Sequence, residues 1–250
     1  TLAEPRPTHS AGGARCDATV HLAKGAHFTA RGCSWTDNRA PVLLLTERAR
    51  ATVHGGDFGE APQPGFSVSG AGTLSLQRVH ASTLDGPVSV GGTEASLRMG
   101  RCVMTHAGRA VVAVWGGEAI LKKCRFSGAH AGVRVFGGRV QMEGGEASGC
   151  GAYGVQITGE ARATLRDVLV QDNGWAGVSI GGTATVEMTG GRARGNAFGV
   201  FPGAASTAHL TDVDIRDNTR AGIAARDDAR VHESGVTMGG PEGDPHPEGD

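Results

Sequence analysis

The chain has 250 residues, 42 of them glycine, with 4% aromatic residues and a formal net charge of −1 at pH 7. This near-neutral charge gives no general attraction to nucleic acid or to an anionic membrane, so nucleic acid is not expected as a partner. No segment approaches the roughly 18 consecutive apolar residues of a membrane span, and Thr1 does not begin a charged-then-apolar signal segment. The five cysteines are irregularly spaced and contain no C-x-x-C pair, so neither a disulfide framework nor a metal site or cofactor is predicted.

The chain opens with a segment that carries no repeat. Residues 1–18 are predicted to form an N-terminal extension or cap, and residues 19–38 an incomplete first coil. A stack of strands must cover its open ends, because unpaired strand edges recruit other chains. The segment before the repeat is therefore expected to be, or to precede, that cover.

A short apolar alternation then begins at Val42 and returns in every later unit. Side chains alternate across a strand, so residues two apart face the same interior and the residue between them faces out. The predicted inward pairs are Val42 and Leu44, Phe66 and Val68, Val88 and Val90, Val112 and Val114, Val133 and Val135, Val155 and Ile157, Val178 and Ile180, Val200 and Pro202, and Ile223 and Ala225.

A second inward pair follows each first pair. These pairs are Leu74 and Leu76, Leu97 and Met99, Ala119 and Leu121, Val140 and Met142, Ala163 and Leu165, Val186 and Met188, and Ala208 and Leu210. Two apolar pairs in each unit indicate at least two strands in each coil of a stacked structure.

The spacing of the units fixes the class of fold. Gly-Val or Gly-Ile recurs at Gly132, Gly154, Gly177, Gly199 and Gly222, at intervals of 22, 23, 22 and 23 residues. A period of this length without a helical pattern predicts coils of parallel β-strand. The predicted fold is an all-β, single-domain, right-handed parallel β-helix over residues 19–240, with about ten coils and a length on the order of 45–50 Å at about 4.8 Å per coil.

Polar and small residues recur at the turns of these coils. Asn38, Asn173, Asn196 and Asn218 each precede the next first strand, and an asparagine amide can bond the turns above and below it. We predict a structural asparagine ladder rather than a site.

Cys33, Cys102 and Cys124 share one inward column and are predicted to be reduced core residues, with a Cys102–Cys124 bridge as the alternative.

The repeat resembles the right-handed parallel β-helix repeats of carbohydrate-binding and sugar-hydrolase domains, in the pectate-lyase-like superfamily, and of F-box proteins of the β-helix type. Two units carry the resemblance: GVQITGEARATLRDVLVQDNGWA (154–176) and GVFPGAASTAHLTDVDIRDNTRA (199–221). It covers residues 19–240 and implies the fold. It does not imply one activity, because the repeat occurs in pectate lyases, polygalacturonases, alginate epimerases and noncatalytic scaffolds alike.

In the enzymes that the fold resembles, the cleft lies on the outer face of the first strand. Glycoside hydrolysis ordinarily needs two carboxylates, and a calcium-dependent lyase needs several oxygen ligands. Neither of the two outward columns contains Asp or Glu. The columns are Leu43, Ser67, Ser89, Ala113, Arg134, Gln156, Ser179, Phe201 and Ala224, and then Leu45, Ser69, Gly91, Trp115, Phe136, Thr158, Gly181, Gly203 and Arg226.

The same face carries an aromatic group in its middle coils. Its predicted ligand-binding residues are Trp115, Phe136, Arg134, Tyr153, Gln156 and Trp175. Rings at coil spacing can form a platform for sugar rings or an anchor for a protein partner, and the alternative is that they only pack over the corners. A third interpretation is metal-free lyase or epimerase chemistry, with His130 or Tyr153 transferring a proton and Arg134 neutralising an acidic sugar.

Two further features of the sequence are charged, a basic patch in the middle coils and an acidic segment at residues 241–250. Arg98, Arg101, Lys122, Lys123 and Arg125 fall on neighbouring coils and form the most basic patch, which is interpreted either as an anion-binding surface or as a solvated face. Residues 241–250 (PEGDPHPEGD) are acidic and rich in proline, so a disordered tail is predicted.

The sequence thus favours a noncatalytic binding module or interaction scaffold for a polysaccharide or protein partner. The alternative is a carbohydrate-active enzyme, either a polysaccharide lyase or a uronate epimerase that uses His130, Tyr153 and Arg134. The two hypotheses differ in whether a polysaccharide bound at this face is converted to product.

Overall fold

The computed structural model describes residues 20–35, 42–61, 65–84, 86, 88–105 and 108–239. Within these ranges the chain forms 23 β-strands and no helix, so the all-β prediction is confirmed. Three sequence predictions lie outside the described residues: the cap at 1–18, the tail at 241–250 and the turn residue Asn38. No helix in the described ranges is long and apolar enough to cross a membrane.

The strands are short at both ends of the chain and longer in between. The first twelve are β1 Val20–Leu22, β2 His27–Arg31, β3 Leu43–Leu45, β4 Arg50–Ala61, β5 Phe66–Val68, β6 Thr73–Leu84, β7 Val88–Val90, β8 Ser96–Gly100, β9 Val103–Thr105, β10 Ala110–Lys122, β11 Arg125–Ser127 and β12 Ala131–Glu143. The others are β13 Glu146–Ser148, β14 Tyr153–Ile157, β15 Arg162–Arg166, β16 Leu169–Gln171, β17 Ala176–Ile180, β18 Thr185–Thr189, β19 Arg192–Arg194, β20 Phe198–Pro202, β21 Thr207–Thr211, β22 Ala221–Ile223 and β23 Arg230–Ser234.

These strands stack in parallel, each on the strand one coil away, and form three faces of a solenoid. Sheet 1 runs from β1 through β3 and β5 to β22, sheet 2 runs from β2 through β8 to β23, and sheet 3 includes β9, β11, β13, β16 and β19. β4 and β6 continue from sheet 2 into sheet 3, while β10 and β12 continue from sheet 1 into sheet 2. Sheet 2 has ten successive segments and therefore nine coil-to-coil steps, close to the predicted ten coils.

The interior is filled by the columns that the sequence predicted. In sheet 1, Val133 pairs with Val155, Val155 with Val178 and Val178 with Val200, and all four are buried. The second inward pairs, from Leu74 and Leu76 to Ala208 and Leu210, are buried in sheet 2. Burial of about 25 cal/mol for each Å² of apolar surface makes this narrow core the main source of stability.

The predicted register is wrong at two places in sheet 1. Leu43 and Leu45 pair with Phe66 and Val68 and face the core, so the inward pair is not Val42 and Leu44. Because Val42 to Leu45 is an unbroken apolar run, alternation gives no signal there, and pairing with the next coil sets the register. In the last coil Ala225 is exposed rather than inward, because β22 ends at Ile223.

The corner between sheets 2 and 3 has one left-handed residue in every coil. Such a backbone favours glycine, and Asp tolerates it better than most residues do. Seven of the ten positions are Gly or Asp, whereas three consecutive coils carry a long basic residue. The column is Gly32, Gly55, Arg78, Arg101, Lys123, Gly144, Asp167, Gly190, Asp212 and Gly235, with φ between 50° and 63°.

The corner between sheets 3 and 1 confirms the asparagine ladder. Asn173, Asn196 and Asn218 are buried, and each amide bonds the coil before it. Asn196 Oδ1 accepts hydrogen bonds from the backbone N and the Nδ2 of Asn173, both at 3.0 Å, while Asn196 Nδ2 donates to Val170 O at 3.1 Å. Buried polar groups stabilise a fold only when they are paired, and here nearly every amide atom has a partner.

Close stacking of the coils, together with the ladder where it is present, accounts for the glycine of the Gly-Val period. A Cβ on Gly132, which has no asparagine beside it, would still lie 2.8 Å from Gly154 O. A Cβ on Gly177 would lie 2.7 Å from the Gly199 carbonyl oxygen and 3.0 Å from Asn196 Nδ2. Gly154 meets the same two groups of its next coil, at 2.8 Å from Gly177 O and 2.9 Å from Asn173 Nδ2. The glycine is therefore required by the close approach of the coils above the asparagine.

The four described cysteines, Cys33, Cys102, Cys124 and Cys150, are free thiols, and Cys102 and Cys124 occupy consecutive coils. A hydrogen bond with Cys102, together with burial, raises the pKa of the Cys124 thiol. Cys102, Cys124 and Cys150 are buried and act as small core residues.

Candidate functional site

The outer face of sheet 1 positions the residues that the sequence singled out. Its strands turn Val112, Val133 and Val155 inward, so Ala113, Arg134 and Gln156 face out at successive coils. Coil stacking places equivalent side chains about 4.8 Å apart along the axis. A ligand lying along this face would therefore contact several coils at once.

Trp115, Phe136 and Arg134 form one group, which we name the tryptophan stack. The rings of Trp115 and Phe136 are parallel, with centroids 4.1 Å apart and planes 6° apart. The Arg134 guanidinium carbon lies 4.6 Å from the Phe136 centroid. Because Trp115 covers one face of the Phe136 ring, the Arg134 guanidinium covers the other. Aromatic stacking and a cation–π contact therefore both stabilise the order Trp115, Phe136, Arg134.

Trp115 is exposed although it belongs to this stack. Its exposed fraction is 59%, and Met238, at 50%, is the other large apolar side chain in the described residues that is similarly open. Val114 pairs with Val90, so the residue beside Trp115 in the preceding coil is Gly91, followed by Gly92. Neither glycine has a side chain to cover the second face of the indole.

Arg134 and Gln156 are paired in register on adjacent coils next to this stack. The Nε of Arg134 and the Oε1 of Gln156 are shielded from solvent and have no hydrogen-bond partner. Burial is the main reason that the pKa of Arg134 lies below its ordinary value; Tyr153 raises this pKa and Arg109 lowers it further. The stack is thus bordered by polar atoms whose hydrogen-bonding capacity is unused.

His130 and Tyr153 meet at the edge of the same face. Their rings are 5.8 Å apart in an edge-to-face arrangement; His130 is exposed and Tyr153 half-buried. The three residues considered for proton transfer, His130, Tyr153 and Arg134, therefore lie in adjacent coils. Proton transfer additionally requires a substrate within hydrogen-bond reach of the acid or base.

Trp175 belongs to a second group two coils further on, which we name the phenylalanine group. Its ring lies 5.1 Å from Phe198 and 6.1 Å from Phe201, both at steep angles. Arg220 lies 5.3 Å from the Trp175 centroid, and Arg226 lies 5.4 Å from that of Phe201. Phe198, Phe201, Arg220 and Arg226 were not among the predicted site residues, although Phe201 and Arg226 stood in the outward columns.

Carboxylates are missing from this face as far as the structure describes it. With the register corrected, the outward columns of sheet 1 contain no Asp or Glu among their described residues. The described residues also include no group of three or more His, Cys, Asp or Glu side chains placed to hold a metal ion. The chemistry available here is aromatic stacking, cationic charge and amide or hydroxyl hydrogen bonding.

Comparison with known proteins gives a family and several structural likenesses. The profile of the right-handed β-helix region matches residues 88–240, more than half of the chain. No curated protein matches the sequence.

Among solved structures, the A-module of the Azotobacter vinelandii mannuronan C-5 epimerase AlgE4 is 12% identical, covers 89% of this chain and 90% of its own, and has a TM-score of 0.49. The periplasmic alginate epimerase AlgG is 8% identical over 87% of this chain and 78% of its own, with a TM-score of 0.49. Tailspike protein 3 of bacteriophage CBA120 is 13% identical, with 90% of this chain and 50% of its own covered and a TM-score of 0.50. This chain thus spans half of the tailspike, and at such identities the likeness concerns the fold alone.

Proposed function

Since this chain belongs to the right-handed β-helix family, a fold that hosts many unrelated activities, we propose that it is a noncatalytic glycan-binding module. Its ligand binds along the outer face of sheet 1. The observation that carries the proposal is the open face of Trp115, which is stacked on Phe136 behind and bordered by Gly91 in front.

A sugar ring suits this arrangement for two reasons. A pyranose has an apolar face of C–H groups that can lie flat against an indole, and its hydroxyl groups lie at the ring edge. The unpaired Arg134 Nε and Gln156 Oε1 are shielded from solvent beside the platform, and rotation of these two side chains on binding would present one donor and one acceptor to the ligand. Sites of this kind combine an apolar surface with a few polar groups that fix the orientation of the ligand.

The face is long enough for several sugar units. Arg134, Gln156, Ser179 and Phe201 face out at four successive coils, a distance of about 14 Å at about 4.8 Å per coil. The tryptophan stack borders this distance at one end and the phenylalanine group at the other. Small and polar side chains lie between them, so a linear glycan can run parallel to the axis.

The test is affinity electrophoresis of the protein in gels that contain neutral or uronic-acid polysaccharides. We expect retardation by at least one polymer, and we expect Trp115→Ala to weaken it roughly tenfold or more, because a central aromatic contact contributes about 2 kcal/mol. Met238→Ala removes a similarly exposed apolar side chain from the last coils and is the matched control, with unchanged binding. Neither variant should shift the melting temperature appreciably.

The same samples distinguish the alternatives. Release of unsaturated or reducing ends, abolished by Tyr153→Phe or His130→Ala, would contradict the noncatalytic proposal and favour a lyase. A change in uronate stereochemistry, abolished in the same way, would favour an epimerase, and the contact between His130 and Tyr153 is the observation that supports either enzyme. Retardation that Trp115→Ala leaves intact would place glycan binding away from the platform and contradict the proposal, whereas no retardation by any polymer would favour a protein-interaction scaffold.

A further inference from the structure

A second exposed feature lies on a different face, at the corner between sheets 2 and 3. Arg78, Arg101 and Lys123 occupy the left-handed position of three consecutive coils, with φ of 54°, 53° and 53°. Every other described coil has Gly or Asp at this position. A long basic residue does not stabilise this corner, because glycine adopts the left-handed backbone without strain.

Placing three cations in consecutive coils adds electrostatic repulsion to this backbone strain. Equivalent positions in consecutive coils are about 4.8 Å apart, so the three residues bring like charges together along the axis. No described carboxylate lies within 4.0 Å of Arg78, Arg101 or Lys123; the nearby Glu143 pairs with Lys122 at 2.6 Å. Strained backbone that persists with repelling charges is the pattern expected of a functional site.

The three residues border a groove of about 890 Å³ that Arg98, Lys122 and Glu143 also line, and Glu143 is paired with Lys122. Gly100 lies in the outward column between Gln77 and Lys122, and the Gln77 amide covers it, so the groove runs beside this amide. Ile120 lies half-exposed on its floor, between the basic side chains of Arg98 and Lys122. Of the predicted basic patch only Arg125 lies elsewhere, on sheet 3 and 4.0 Å from Glu146.

We propose that this groove binds a linear polyanionic polysaccharide with one carboxylate or sulfate on each sugar unit. Three cations in a straight line at the coil spacing match one anionic group for each ring of an extended chain. Ile120 gives the apolar face of a ring a surface to rest on. This site is distinct from the glycan platform around Trp115, which lies on sheet 1.

Nucleic acid fits the groove less well. Phosphates follow each strand of a duplex at about 3.4 Å along the axis, which does not match a ladder of about 4.8 Å. Single strands are held by bases stacked on aromatic side chains beside a cationic groove. Among the residues that line this groove there is no Trp, Tyr or Phe.

The experiment is calorimetric titration of the protein with polygalacturonate at low ionic strength, with single-stranded and duplex DNA as competitors. The variant Arg78→Gly/Arg101→Gly/Lys123→Gly is expected to weaken binding roughly tenfold to a hundredfold, because each exposed ion pair contributes modestly. Its melting temperature should be equal to or higher than that of the parent, since glycine relieves the strain at φ near 54°. Added salt should weaken the binding of the parent.

The matched control, Arg162→Gln/Arg192→Gln/Arg230→Gln, lowers the charge by the same amount on exposed positions outside the groove, and it should bind like the parent. Equal loss in both variants would overturn the site, since only overall charge would then matter. Absence of polygalacturonate binding by the parent, or tighter binding of DNA, would overturn the assignment to an acidic polysaccharide. Trp115→Ala keeps the two proposals separate: it should weaken binding of a neutral polymer roughly tenfold or more, whereas the glycine variant should leave that binding unchanged.

Discussion

The two ends of the solenoid fill their coils with different chemistry. In the N-terminal coils Trp35, Phe58 and Phe66 pack inside, with the Phe58 ring 4.9 Å from each of the other two, stacked on Trp35 and edge-to-face with Phe66. In the C-terminal coils the interior is small and aliphatic, and the buried asparagine ladder of Asn173, Asn196 and Asn218 closes the corner. Aromatic packing fills the interior but sets no specific geometry between coils. The hydrogen bonds of the ladder are directional, so they fix the register of each coil on the next.

The largest effect is expected from Asn196→Ala, which breaks the ladder at its centre. The change leaves the backbone N of Asn173 without an acceptor, leaves Asn173 Nδ2 with Ala147 O alone, and removes the donor to Val170 O. Each buried polar group left unpaired costs about 1–3 kcal/mol, so a total loss of about 4–5 kcal/mol in the free energy of unfolding is expected. Chemical denaturation measures it.

Gln171→Ala is the control for the ladder variant. Its amide makes one partly exposed bond, to Glu146 at 3.0 Å, so its removal should cost about 1 kcal/mol or less. A similar cost for the two variants would mean that the ladder stabilises no more than a surface amide does.

Phe58→Ala tests the other end of the comparison. Phe58 is 2% exposed and lies between Trp35 and Phe66, so the change leaves a cavity and should cost about 3–4 kcal/mol. In a stacked repeat each coil contacts only its neighbours, so amide hydrogen exchange should rise in the N-terminal coils and stay unchanged around Asn196.

Phe58→Leu keeps most of the volume and should recover more than half of the lost stability. Exchange that rises equally along the whole chain in Phe58→Ala would contradict the local character of the two regions.

The regularity with which polar and apolar residues alternate decides how well the sequence predicts the register of each strand. Wherever polar and apolar residues alternate strictly, as from Thr185 to Thr189, the inward residues were predicted correctly, because the period of two leaves one choice. The run from Val42 to Leu45 lacks that alternation, and its register came out one residue off. The ladder was predictable because asparagine recurs at one position of the repeat.

The candidate site was less predictable than the fold. The outward position of Trp115 and Phe136 follows from the repeat, but their parallel stacking depends on rotamers and on the small Gly91 in the preceding coil. Trp175 was grouped with them by coil number, and the structure places it against Phe198 and Phe201 instead. The repeat fixes the coil of a residue before a strand, whereas the direction in which its side chain points depends on neighbours in the next coil.

The smallest effect, and the one that ties the period to the ladder, is expected from Gly177→Ala. The added Cβ would lie 2.7 Å from Gly199 O and 3.0 Å from Asn196 Nδ2, so the coil must shift, at a cost of about 1–3 kcal/mol. Gly181→Ala in the same coil is the control, because its Cβ would meet only Thr158 Cγ2 at 3.7 Å and its φ is not left-handed. Replacing that glycine should be neutral or slightly stabilising, since alanine restricts the unfolded chain.

The coil of β10 supplies the reverse case at the same position. Val111 lies between two residues that pair with Ala131 and Val133, and it is buried, so this coil accommodates a branched side chain where the coils beside the asparagines have glycine. If the asparagine is what excludes a side chain at Gly177, then Asn196→Ala and Gly177→Ala should be non-additive, and the double variant should be more stable than the sum of the two costs predicts. Strict additivity in denaturation would show that the Gly199 carbonyl alone requires the glycine, and the period of 22 to 23 residues would then reflect coil spacing rather than the ladder.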